Sequence, residues 1–209
     1  GVFYRTDHHW TSLGAYYAFQ AAAQSLGIKT DERKQYKAHT VSNTFEGTLA
    51  SKSGCHEVTD TITVYEPQKD DTQFYVTYDD TQEKSRSLFV EKCLKDKDQY
   101  TVFFGGNHPK ITIRTTSESG RRLLIFKDSY ANSFIQFLTP YYEKIILVDP
   151  RYYYDNASSI ITGEEITDVL FLYNLNTYLE DNSLADTLDA AQPEQTEGGD
   201  TAATNTDQA

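Results

Sequence analysis

The chain has 209 residues, enough for one α/β core with a small insertion and too few for two ordinary enzyme domains. Its formal charge of −12 is concentrated at one end: residues 180–209 hold eight acidic and no basic side chains, leaving 23 acidic against 19 basic elsewhere. With no Lys/Arg run to track phosphates and no apolar stretch near the roughly eighteen residues that span a bilayer, nucleic acid and anionic membrane surfaces are set aside as partners. Thr11 or Ser12 caps an expected helix carrying Leu13, Tyr16, Tyr17, Gln20 and Leu26 among alanines, and Gly27 stops it. From about residue 31 to 118 the pattern changes to short β-prone segments: Thr61–Tyr65, Gln73–Tyr78, Leu88–Val90, Tyr100–Phe104 and Lys110–Arg114. Pro67, Asp79-Asp80 and Gly105-Gly106 punctuate them, which reads as an antiparallel meander. A third section predicts strands at Arg122–Phe126, Lys144–Val148 and Val169–Tyr173, with a helix or turn at Ser133–Tyr142 and a short helix at Thr162–Ile166 between them. Strand and helix in alternation imply a parallel sheet, so the fold class is α/β, with an ordinary α+β domain as the runner-up. Residues 1–180 form the expected single domain. The tail, 181–209, falls to Ala, Thr, Gln, Asp and Gly, has little to bury and reads as disordered.

The chain has no methionine and no signal peptide, and it opens on Gly1 directly before a functional-looking motif. It therefore reads as a piece of a longer product, with any signal or anchor lost upstream. Cys55 and Cys93 lie too far apart for a CxxC pair. Either they close one disulfide, a constraint of about 3–4 kcal/mol, or they are two separate thiols.

Two motifs carry chemistry. Residues 6–10 read Thr6-Asp7-His8-His9-Trp10, and about 120 residues later an apolar run ends in Lys127-Asp128-Ser129-Tyr130-Ala131-Asn132-Ser133. Ser129 follows a buried strand and precedes a turn or helix, which puts its hydroxyl at the carboxyl end of the sheet, where α/β folds bind ligands. Serine is inert at neutral pH without a base, and Asp7 with His9 is the Asp/His cluster able to supply one. His39, His56 and His108 lack such a setting. Asp7 and Ser129 are also good helix caps, the bland reading of both. Asn107 and His108 in Gly105-Gly106-Asn107-His108-Pro109 mark a tight turn and are also candidates for the site. Cys55-His56-Glu57 begins like HExxH without the second histidine, and no GxSxG, P-loop or GxGxxG is present. Asp7, His8 and His9 lack a further ligand cluster at metal-binding spacing, so neither a metal nor a cofactor is expected.

TDHHW with its Tyr/Ala-rich helix, then GGNHP, LLIFKDSYANSF and VDPRYY, together resemble the bacterial DHHW family, related to the alginate O-acetylation proteins and to SGNH-type hydrolases. The resemblance covers most of residues 1–180. It implies an SGNH-hydrolase-like three-layer fold with circularly permuted motif order, because the Asp-x-His motif precedes the serine, and it makes the β-rich middle an insertion. It also implies that Ser129 is the nucleophile, His9 the base and Asp7 its orienter, and that an asparagine after a later strand stabilises the oxyanion. Asn174, after Val169–Tyr173, fits that last role best, and Arg151 is a further candidate for the same pocket. Lys127 stands where the SGNH pattern has glycine.

The implied function is O-acetylesterase or O-acetyltransferase chemistry on an extracellular or cell-envelope glycan, with envelope proteins as possible partners. The sixteen tyrosines suit stacking on sugar rings. The alternative is a non-catalytic cell-surface protein that keeps the fold and binds glycan.

Overall fold

The computed structural model describes residues 1–29, 36–68 and 71–189. Helix α1 (Ser12–Ala23) starts where the Thr11 hydroxyl accepts the Gly14 N–H and buries Ala15, Phe19 and Ala23. A two-stranded antiparallel hairpin follows, β1 (Tyr36–Phe45) with β2 (Asp60–Pro67), and its connection contains the single-turn helix α2 (Thr48–Ser53).

The main sheet has six strands: β3 (Phe74–Tyr78), β4 (Lys84–Ser85), β5 (Lys110–Thr115), β6 (Arg122–Lys127), β7 (Lys144–Val148) and β8 (Asp168–Leu172), in the order β4-β3-β5-β7-β6-β8. It is mixed, not parallel throughout: β6 runs parallel to β7 and β8, while β3, β4 and β5 add antiparallel. The β-rich middle is thus only partly separate, since β3 to β5 extend the same sheet that carries β6. Leu88–Val90 and Tyr100–Phe104 are not strands. They meet in a single bridge, Phe89 to Phe103, and the short 3₁₀ helices Glu91–Lys95 and Gln99–Val102 lie in the segment between the bridged residues.

The sheet is apolar on both faces, which is why β6 and β7 read as unbroken hydrophobic runs. Leu123, Ile125, Ile145, Leu147, Ile111 and Ile113 pack beneath α1 and two 3₁₀ turns, Ser129–Ser133 and Ile135–Phe137. Leu124, Phe126, Ile146 and Val148 face α3 (Ala157–Gly163) and α5 (Ser183–Asp189). The helix expected at Thr162–Ile166 forms earlier, as α3, capped by Asn156. Beyond β8 lies α4 (Leu175–Glu180).

Part of the tail expected to be disordered from position 181 is helical: Ser183–Asp189 is α5. Leu184 and Leu188, one helical turn apart on α5, pack against the cluster containing Tyr153 and Ile160. The rest of that segment, 190–209, lies outside the described residues. Cys55 is exposed, Cys93 is buried, and both are free thiols.

Candidate active site

The Asp7-His8-His9 loop is closed at its base by a bridge between Phe3 and Trp10, with the Tyr4 N–H on the His9 carbonyl at 3.2 Å. Asp60, the first residue of β2, grips its near side by accepting from the Thr6 hydroxyl at 2.6 Å and from the Thr6 and Arg5 N–H groups. Helix α2 grips the far side. The Thr48 N–H and hydroxyl reach Asp7 Oδ2 at 2.8 and 3.1 Å, and the Thr6 carbonyl accepts the Leu49 and Ala50 N–H groups. Gly47 permits this approach: a Cβ there would collide with the Asp7 carboxyl group.

Asp7 Oδ1 accepts the His9 N–H at 2.9 Å and lies 2.5 Å from His9 Nδ1. Burial pushes the Asp7 carboxyl up, but the hydrogen bonds from the His9 ring, Thr48 and the His9 backbone outweigh it and hold the group well below the ordinary carboxylate range. Asp7 is therefore an ionised acceptor, and His9 Nδ1 carries the proton. In the neutral ring, Nε2 is then the lone-pair nitrogen, and it lies 2.7 Å from Ser129 Oγ. The Asp7, His9 and Ser129 side chains, brought together from 120 residues apart, form one hydrogen-bonded row. Asp7 and His9 are buried and Ser129 is partly buried, so the serine is the most accessible residue of the row.

Ser129 leaves the carboxyl end of β6 as the first residue of a 3₁₀ turn, not of a long helix. The Asp128 carboxylate caps that turn through the Tyr130 N–H at 2.8 Å and accepts the Asn174 N–H at 2.9 Å. The Ser129 N–H, at the start of the turn, has no partner within it. Three side chains to which the sequence assigned no function, two of them inside the motifs, join the two motifs. Tyr100 stacks on the His9 ring at 3.8 Å between centroids, and its hydroxyl lies 3.0 Å from the Ser129 carbonyl. Trp10 Nε1 reaches the Tyr130 carbonyl at 2.9 Å and Ser133 Oγ at 3.0 Å, and the Tyr130 hydroxyl donates to the His8 carbonyl. Nothing local in the sequence marks Tyr100, because its neighbours come from segments about ninety and thirty residues away.

The other candidates make their hydrogen bonds outside this row. Asn174 caps α4 with its side-chain oxygen, accepting the Asn176 N–H at 2.7 Å, and its backbone ties it to Asp128, not to Ser129 or His9. Arg151 forks onto Asp149 at 2.8 and 2.6 Å. Asn107 follows a tight run in which Phe104, Gly105 and Gly106 all have positive φ, and its side-chain oxygen accepts from Asn132 Nδ2 at 3.3 Å. Asn132 lies on the turn that Ser129 begins. Among the described residues, Asp7, His8 and His9 offer one potential ligand atom each within 4.8 Å, but those groups already bond to one another, to Thr48 and to Ser129. No helix among the described residues is long and apolar enough to cross a membrane.

Residues 1–148 match the family model described as DHHW protein. A DHHW family protein of known structure from Eubacterium siraeum DSM 15702 is 32% identical, with a TM-score of 0.74 over 87% of this chain and 62% of that one. Two structures of Bacillus cereus PatB1, one with a sulfonyl adduct, share the fold at 19% and 18% identity. Their TM-scores are 0.64 and 0.63 over 84% of this chain and 61% and 63% of theirs. The chain thus spans about three fifths of the length of these structures. No curated protein matches the sequence.

Proposed function

The chain belongs to the DHHW family, and from that footing we propose that it transfers acyl groups through Ser129, as an O-acetylesterase or O-acetyltransferase with SGNH-like, permuted architecture. The observation that carries the reading is the 2.7 Å contact between Ser129 Oγ and His9 Nε2, with Asp7 on the other ring nitrogen. The likeness in fold to PatB1, one of whose structures holds a sulfonyl adduct, supports it.

Ser129 Oγ attacks the acyl carbonyl carbon while its proton passes to His9 Nε2. Asp7 stabilises the imidazolium that results. The negative charge moves to the carbonyl oxygen, and the donors we assign to it are the Ser129 N–H and the Asn107 amide, which is tied to the Ser129 turn through Asn132. Collapse breaks the ester bond, His9 returns its proton to the departing alkoxide, and the acyl group stays on Ser129. Water or an acceptor hydroxyl then attacks the acyl-serine by the same steps in reverse. The substrate class we propose is an O-acetylated glycan of the cell envelope or an exopolysaccharide, which places the protein outside the cell or on its envelope.

The test is covalent. A sulfonyl fluoride is expected to add one sulfonyl group at Ser129, located by peptide mass spectrometry, and Ser129→Ala and His9→Ala should abolish labelling and aryl acetate hydrolysis. Hydrolysis that survives Ser129→Ala would overturn the reading and leave glycan binding without catalysis as the function to pursue.

A further inference from the structure

Lys127 ends β6 one residue before Asp128-Ser129, and its side chain is fully buried. A buried ammonium is costly unless it is paired and hydrogen-bonded. Lys127 Nζ lies 3.6 Å from Asp149 Oδ2 and donates to Asn132 Oδ1 at 2.9 Å. Arg151 already holds both oxygens of Asp149, so the lysine is not needed to neutralise that carboxylate.

The polarity of the row beyond Lys127 is fixed by chemistry. An ammonium donates and cannot accept, so Asn132 must turn its oxygen to Lys127 and its NH₂ away. That NH₂ donates to the side-chain oxygen of Asn107 at 3.3 Å, which engages the oxygen and leaves the Asn107 NH₂ as the donor. The Asn107 loop is anchored to the same place by the Asp149 N–H on the Pro109 carbonyl at 3.0 Å.

We infer that Lys127 and Asn132 are positioning residues for acyl transfer: together they orient the Asn107 amide so that its NH₂, and not its oxygen, is presented beside Ser129 to the oxyanion. The inference rests on the acyl-transfer reading and goes beyond it by giving a function to the lysine that stands in place of glycine.

Burial lowers the Lys127 pKa to about 8, against the pull of Asp149. The charged groups around it are Asp149 and Arg151 beyond β7, and Asp128 at the exit of its own strand. Above that pH the neutral amine can accept as well as donate, and the direction of the row is no longer enforced. The turnover number kcat is expected to fall as pH rises through this value, and Lys127→Met should remove that limb.

A double-mutant cycle on aryl acetate hydrolysis decides the matter, with Ser129 sulfonylation as an independent readout and thermal melting as a folding control. Asn107→Ala is expected to lower kcat by about 10²-fold, and Lys127→Met by about 10- to 10²-fold with little change in KM. If the lysine acts through Asn107, the double variant is no slower than Asn107→Ala alone. Asn132→Asp is the second probe, should Lys127→Met fail to fold. It keeps the partner for Lys127, removes the donor to Asn107, and should show the same loss and the same non-additivity. Effects that multiply, or wild-type kcat in the single variants, would overturn the inference while a labelled Ser129 leaves acyl transfer standing. An unlabelled Ser129 in the wild type overturns both.

Discussion

Asp7 is the residue on which the site's electrostatics depend, and four donors specify its position: the His9 N–H, His9 Nδ1, and the Thr48 N–H and hydroxyl. The carboxylate can be held this tightly only because position 47 has no side chain. Gly47→Ala is therefore expected to push Asp7 off its donors, at a cost of about 1–3 kcal/mol for an overpacked site, and to lower kcat/KM for aryl acetates with it. The pH dependence of melting gives this prediction a sign. A carboxyl held below its unfolded value contributes stability that is fully present above about pH 4 and is lost as pH falls through the folded value. The gap in Tm between wild type and Gly47→Ala should accordingly be widest near neutrality and narrow in acid. A gap that stays constant with pH would place the damage in packing alone.

At the scale of elements, what was legible in the sequence follows burial. β6 and β7 are buried on both faces and read as apolar runs, and β3 alternates as a half-buried strand should. β1 was not legible: Lys37, Ala38, Thr40, Asn43 and Thr44 are exposed and only Phe45, at its end, is fully buried, while β2 buries Ile62 and Val64. Of the two forms expected for Ser133–Tyr142, helix or turn, the segment takes the turn, with a 3₁₀ helix at Ile135–Phe137. Phe134, Ile135, Phe137 and Leu138 are buried on every side, so no polar face remains to set a 3.6-residue period, and Pro140 stops any continuation. α5 escaped notice because two leucines in an acidic, polar context are a weak signal. Those leucines are also its main apolar attachment. Leu184→Ala with Leu188→Ala should release α5, making residues 181–189 more sensitive to limited proteolysis, with a small fall in Tm and unchanged hydrolysis. A loss of activity in that variant would show that α5 supports the site across the sheet.

Over the whole molecule, the two halves of the site belong to different structures: a loop closed on itself near the start of the chain, and a turn at the end of a central strand about 120 residues away. The residue types told which side chains belonged together. They did not tell what holds the halves in register, because Tyr100, Tyr130 and Trp10 act through backbone carbonyls and ring faces that no motif records. Trp10 is the cleanest place to test that register. Its ring stacks near Phe134, while its N–H crosses to the Tyr130 carbonyl and Ser133 Oγ, so Trp10→Phe keeps an aromatic ring and removes the crossing donor. Ser133 Oγ keeps the Tyr100 hydroxyl nearby at 3.2 Å, so the stability cost should stay near 1 kcal/mol. The effect on chemistry should be larger than that figure suggests, since loosening one motif against the other lengthens the His9 to Ser129 contact directly, and small misplacements of a base cost up to about 10²-fold in rate. Ser129 sulfonylation measured against Tm separates the two. Labelling slowed tenfold or more with a Tm within a few degrees of wild type supports a register function for Trp10, whereas rate and stability falling together in proportion would mean that the indole N–H only helps the chain to fold.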